Sequence, residues 1–191
     1  RVAVELQGEG ATHARAVIVL ADGTAAASGP TKPSPTWEKY PRSVEDAYRE
    51  YLFHGPLLRG ISAVEGCSPE GIAVSLKAAP APSAWMQRPA RGSWLAEPLA
   101  IDSAFQAMIL WSFERCGSGC LPSAFARYRQ FRAEFPKKGL RAVVTVTRHA
   151  GARASADVDF VDAQGELVAR IEGSEHTIDA SLKDAFRKSV A

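Results

Sequence analysis

Between Pro98 and Phe113 the chain reads Pro-Leu-Ala-Ile-Asp-Ser-Ala-Phe-Gln-Ala-Met-Ile-Leu-Trp-Ser-Phe. Wound at 3.6 residues per turn, Leu99, Ile101, Phe105, Met108, Ile109, Leu110, Trp111 and Phe113 leave almost no side for water. A helix that is apolar nearly all round is a buried one, so the rest of the chain must wrap it. Two residues break the pattern, Asp102 and Gln106, and at a spacing of four they share one face. A carboxylate in such a helix is costly unless it is paired, neutralised or put to work. Asp102 is therefore the leading candidate for chemistry. A plainer reading stands beside it. Pro98 suits a first helical turn, where a nearby carboxylate favours the helix dipole, so Asp102 reads equally as a helix-start residue with Gln106 its satisfied neighbour. The dipole would also lower the carboxyl's pKa, against proton donation, unless desolvation reverses it. Spacing leaves both readings open.

The 191 residues suffice for one well-buried domain, or one and a fraction. A net charge of +2 excludes a broad basic surface for nucleic acid or an anionic membrane. No uncharged apolar run is long enough for a transmembrane helix, and no signal peptide is visible. Three cysteines, an odd count, imply a reduced, cytoplasmic protein. Cys116 and Cys120 flank Gly-Ser-Gly in an expected loop. A metal there would need further ligands, and no histidine is adjacent in sequence, so no metal is expected. The chain starts at Arg1 rather than Met, which suggests a piece of something longer.

Val2, Val4 and Leu6, then Ala16 to Leu20, an Asp22-Gly23 turn and Ala25 to Ala27 suggest a β-hairpin over residues 2–28. Prolines 30, 33, 35 and 41 mark a linker. Val44 to Tyr51 reads as a short helix, and Leu57 to Glu65 and Gly71 to Ala78 as strands joined by Cys67-Ser-Pro-Glu70. A Pro- and Trp-containing loop over Ala79 to Glu97 leads into the apolar helix. Arg141 to His149, Ala154 to Val161 and Leu167 to Ile178 follow as strands, with a turn at Asp162-Ala-Gln-Gly165. Leu182, Ala185 and Phe186 suggest a short closing helix. One buried helix between two strands and at least three more implies an α+β hotdog, with a curved antiparallel sheet around the helix. The expected divisions are a hairpin at 1–30 ending a preceding hotdog, a linker at 31–50, a hotdog at 51–180 and a tail at 181–191.

Three motifs in this order resemble the dehydratase domains of modular polyketide synthases, animal-type fatty acid synthases and polyunsaturated fatty acid synthases. Phe53-His54-Gly55-Pro56 is similar to that family's aromatic-Gly-Pro motif. Asp102-Ser-Ala-Phe-Gln106 is similar to its catalytic Asp-x-x-x-Gln/His motif. Leu121-Pro122-Ser-Ala-Phe125 shares Leu, Pro and an aromatic last position with its Leu-Pro-Phe-x-Trp motif. The Asp162 turn followed by Ile171-Glu-Gly173 also fits. The resemblance implies half of a double hotdog, the second half, preceded by the last strands of the first.

The resemblance further implies that Asp102 is a catalytic acid oriented by Gln106. His54, Gly55, Pro56, Phe105, Ile109, Leu121, Pro122 and Phe125 would line a substrate tunnel. The substrate would be a β-hydroxyacyl thioester on the phosphopantetheine arm of an acyl carrier protein, with no cofactor of the chain's own. Expected partners are that carrier, neighbouring synthase domains and a second hotdog, in the same polypeptide or a homodimer. Two departures matter. None of His13, His54, His149 or His176 begins the His-x-x-x-Gly-x-x-x-x-Pro motif that carries the family's base, and Leu58 replaces a usual Phe. The base then lies on another chain or beyond this sequence, or the domain is silent. His54 is a candidate substitute base, although a lone histidine beside a strand is more often a hydrogen-bonded structural residue. A silent acyl-holding scaffold and an unrelated hotdog thioesterase remain as alternatives. The basic cluster Arg127, Arg129, Arg132, Lys137, Lys138 and Arg141 reads either as a solvated face or as a rim that steers an acidic carrier, with Arg127, Arg129 and Arg132 as its contacts.

Overall fold

The apolar helix forms as the sequence requires. In this computed structural model, which describes residues 1–24 and 36–188, it runs Pro98–Cys116. Pro98 occupies the first turn, where its missing N–H costs nothing, and Gly117 closes the helix in the left-handed region at φ 69°. Ala100, Ala104, Ala107, Met108 and Leu110 are fully buried.

The wrapping comes from a six-stranded antiparallel sheet. Its strands are β3 (Ile61–Ser68), β4 (Gly71–Leu76), β5 (Gly119–Gln130), β6 (Arg141–Ala150), β7 (Arg153–Val161) and β8 (Leu167–Asp179). They lie in the order β3-β4-β6-β7-β8-β5. The long helix, α3 in chain order, packs against β3, β4, β5 and β6. Period-two alternation supplies the inner face: Ala154, Ala156, Val158 and Phe160 of β7 are buried. The Asp162 turn closes as expected, its Oδ1 accepting from Gln164 N and Glu166 N at 2.9 Å each.

Four sequence expectations need correction. The hairpin β1 (Val2–Gly8) and β2 (Ala11–Ile18) turns at Glu9-Gly10, both at positive φ, and not at Asp22-Gly23. Its side chains from Val2 to Leu6 are exposed, and it forms a separate two-stranded sheet. Ala25 to Ala27 lie outside the described residues. The strand expected from Leu57 starts at Ile61, because Pro56 sets a 3₁₀ turn over Pro56–Leu58. The loop over residues 79–97 contains a four-residue helix, α2 (Pro82–Trp85). Residues 119–130, expected only as loop and motif, form β5.

The residues expected as linker, 31–50, include the short helix α1 (Val44–Glu50), capped by Ser43, and its Ala47 and Tyr48 sit in the core. The last helix, α4 (Leu182–Lys188), buries Phe186 with its ring centroid 4.5 Å from that of Phe53. Both segments therefore pack onto the body expected at 51–180.

Candidate active site

Three pieces of backbone meet around Asp102. The first is α1, which presents Tyr48. The second is the segment from Tyr51 to Gly60. The third is the N-terminal half of α3. The approach of the second to the third requires a glycine: a Cβ on Gly60 would overlap Ser103 Oγ and lie 2.7 Å from Leu99 Cγ. Glu97 fixes the start of α3 by accepting Ala79 N at 2.6 Å, and burial pushes its carboxyl up.

Asp102 lies in the second turn of α3, and the first turn holds no acidic residue. The dipole effect is confined to the first turn, so the helix-start reading loses its physical basis. The side chain of Asp102 is 35% exposed, whereas Gln106 one turn on is fully buried. Gln106 Nε2 donates to Asp102 Oδ2 at 2.6 Å and to the Leu58 carbonyl at 2.7 Å. Gln106 Oε1 accepts from the Tyr48 hydroxyl at 2.7 Å, and that hydroxyl accepts Ile61 N–H at 3.0 Å. Each polar atom of the carboxamide is thus partnered.

His54 joins the same carboxylate. Its Nε2 is 3.7 Å from Asp102 Oδ2, beyond hydrogen-bond length but within ion-pair reach. The ring stacks on Phe53 at 4.2 Å between centroids. Burial pushes the imidazole pKa down, while the neighbouring Asp102 pulls it up, and burial prevails. His54 Nδ1 is buried and takes no hydrogen bond from the described residues. A bare lone pair is cheaper to bury than an unpaired N–H, which favours the tautomer with its proton on Nε2, facing Asp102.

The other expected site residues are spread more widely. Gly55 and Pro56 stand exposed in the turn after His54. Phe105 is half-buried, 6.0 Å from the His176 ring, and Ile109 points into the core. Leu121, Pro122 and Phe125 lie on a stretch of β5 exposed from 121 to 127, so on this chain alone they enclose no tunnel. Arg127 and Arg129 face Glu172, Arg132 pairs with Asp162 at 2.6 Å, and Arg141 pairs with Glu65. Four of the cluster's six cations therefore carry their own counter-charges. An open groove of about 360 Å³ between β5, β6, β7 and β8 is lined by Arg148, Arg153, Ser155 and Glu175. It contains none of the expected site residues.

Two features escaped the sequence. Tyr48 sits 54 positions before Asp102 in no motif, and only the fold brings it to Gln106. Histidines also reach the thiols through space: His149 Nε2 is 3.5 Å from Cys116 Sγ and His176 Nδ1 is 4.0 Å from Cys120 Sγ. Among the described residues no three such side chains converge as metal ligands.

Residues 25–178 match the family described as polyketide synthase dehydratase N-terminal domain. Over 119 residues, 62% of the chain, the sequence is 33% identical to a polyunsaturated fatty acid synthase polypeptide of Thraustochytrium sp., of which it covers 4%. The dehydratase domain of PpsC from Mycobacterium tuberculosis, solved in complex with C12:1-CoA, aligns with a TM-score of 0.57 at 21% identity. That alignment covers 78% of this chain and 56% of the other. The dehydratase domain from the CurF module of curacin polyketide synthase gives a TM-score of 0.54 at 19% identity, over 78% and 55%. These two structural likenesses establish the hotdog fold, and this chain spans about half of either domain.

Proposed function

The chain belongs to the polyketide synthase dehydratase family, and from that membership we propose that it supplies the acid half of a site removing water from a β-hydroxyacyl thioester on an acyl carrier protein. The observation that carries this reading is the 2.6 Å hydrogen bond from buried Gln106 to a carboxylate that keeps one flank open. Dehydration breaks a C–H bond α to the thioester and the C–O bond at the β carbon. A base takes the α proton, the electron pair forms the C=C bond, and the β hydroxyl leaves as water with a proton from Asp102. The apolar wall of α3 excludes water and strengthens each charge interaction there.

The matching family model is described as an N-terminal domain. We assign the chain to the second, acid-bearing hotdog on its Asp102-Ser-Ala-Phe-Gln106 motif. The base then comes from a paired hotdog, whose sheet covers the open segment of β5 and completes the tunnel over Leu121 and Phe125. Arg127, Arg129 and Arg132 would meet the carrier at the rim, and the phosphopantetheine arm would bring the substrate. No helix among the described residues is long and apolar enough to cross a membrane, and the three cysteines are free, in keeping with a cytoplasmic synthase.

The test is product analysis by mass spectrometry, with the complete protein that carries this chain and a β-hydroxyacyl carrier protein. Loss of one water from the still-loaded carrier is the expected result. Release of free acid would favour the thioesterase reading. A loaded carrier that binds and stays unchanged would favour a silent acyl-holding module, the reading that the missing histidine motif keeps open.

A further inference from the structure

Beyond Asp102 and Gln106, and resting on the reading just given, we infer that Tyr48 is a positioning residue: it fixes which end of the Gln106 carboxamide meets Asp102, and so assigns the acidic proton to Oδ1.

The directions of the hydrogen bonds are forced one by one. The Leu58 carbonyl can only accept, so the Gln106 atom 2.7 Å from it must be the nitrogen. The carboxamide oxygen then faces Tyr48 and must receive a proton. A backbone N–H can only donate, so Ile61 N–H uses a lone pair of the Tyr48 oxygen and leaves its single O–H for Gln106. The second N–H of Gln106 points at Asp102 Oδ2 at 2.6 Å. A proton on Oδ2 would collide with that N–H, and His54 Nε2 lies toward the same oxygen. The acidic proton therefore rides on Oδ1, which accepts no hydrogen bond from the described residues.

Burial pushes the Tyr48 phenol up to about 12, so it remains a donor across the working pH range. The Arg59 guanidinium lies 5.4 Å from the Tyr48 ring centroid and donates to the His54 carbonyl at 3.4 Å. The relay and the histidine are thus held by one side chain. Tyr40 provides an internal control. It is a buried tyrosine of the same core whose hydroxyl meets no partner among the described residues.

The experiment has two arms. NMR of the unsubstituted chain reads the Gln106 side-chain amide directly, with no dependence on activity. Both proton shifts are expected to lie away from those of a solvent-exposed carboxamide and to be protected from exchange with water. Shifts at the exposed-carboxamide positions, exchanging freely with water, would show a carboxamide that is not held and overturn the inference. In the complete protein, Tyr48→Phe is expected to lower kcat for dehydration about 10- to 100-fold with KM little changed, and to move the Gln106 amide shifts toward those of an exposed carboxamide with faster exchange. Tyr40→Phe should do neither. Equal effects from the two substitutions, or a Tyr48→Phe loss confined to KM, would make Tyr48 a packing residue only. A locked amide in a protein that fails to dehydrate would leave the relay standing and sink the dehydratase reading instead.

Discussion

The two halves of α3 handle buried polarity in opposite ways. In the C-terminal half, Trp111 Nε1 donates to the Ser68 carbonyl at 3.1 Å and Ser112 Oγ to the Ser118 carbonyl at 2.7 Å. Both bonds end on backbone, and their effect is to fix the helix against β3 and against its own C-terminal turn. In the N-terminal half the chain of bonds runs from Ile61 through Tyr48 and Gln106 and ends on a carboxylate with an open flank. Polar groups that end on carbonyls hold architecture. A relay that ends on an ionisable group at the edge of an apolar wall controls that group's chemistry.

The contrast can be broken at either end. Trp111→Ala removes one of the largest fully buried side chains and is expected to cost about 3–5 kcal/mol in denaturant unfolding. If the halves are as distinct as argued, the Gln106 amide shifts should survive wherever the variant still folds.

The second buried imidazole, His176, gives the next largest effect. Its Nε2 lies 3.1 Å from Ser174 Oγ, and burial holds its pKa down to about 4 from an ordinary 6.5. Protons then bind the unfolded chain first. The contribution is complete above pH 6.5 and is lost as pH falls toward 4, by about 3 kcal/mol. In His176→Gln this part of the pH dependence of unfolding should vanish while dehydration stays unchanged. Lost dehydration would make His176 part of the site.

Smaller effects are expected at Gly60 and Ser112. Gly60→Ala pushes the Leu58–Gly60 segment off α3 at a cost of about 1–3 kcal/mol. It should also weaken dehydration, because the Leu58 carbonyl holds Gln106. Ser112→Ala in the other half should cost about 1 kcal/mol in thermal or denaturant unfolding and leave activity intact. Loss of activity from the serine and none from the glycine would reverse the assignment of the two halves.

Much of this architecture was legible in the sequence. The all-round apolar run of α3 predicted a wrapped helix, and the strand-like runs Ala154 to Val161 and Leu167 to Ile178 with the Asp162 turn predicted a hairpin. The pairing of Asp102 with Gln106 followed from a spacing of four. What was hidden is non-local or unpatterned. β5 carries Pro122 and is exposed from 121 to 127, so no inner face imposes a period on it. A proline is tolerated there because β5 lies at the sheet's edge. Asp22-Gly23 is the stronger turn dipeptide, yet the hairpin turns at Glu9-Gly10, where Glu9 takes positive φ without any such signal. Tyr48 reaches Gln106 only through the packing of α1, which no spacing rule conveys.

The most direct measurement is the single-turnover dehydration rate of Asp102→Asn in the complete protein, read against the unsubstituted protein with the same β-hydroxyacyl carrier. Asparagine keeps the shape and can still accept the Gln106 N–H, but it has no carboxyl proton to give. A fall of about 10²- to 10⁴-fold with unfolding stability unchanged is expected for a lost general acid. A rate within a few-fold of the unsubstituted protein would contradict the role assigned to Asp102.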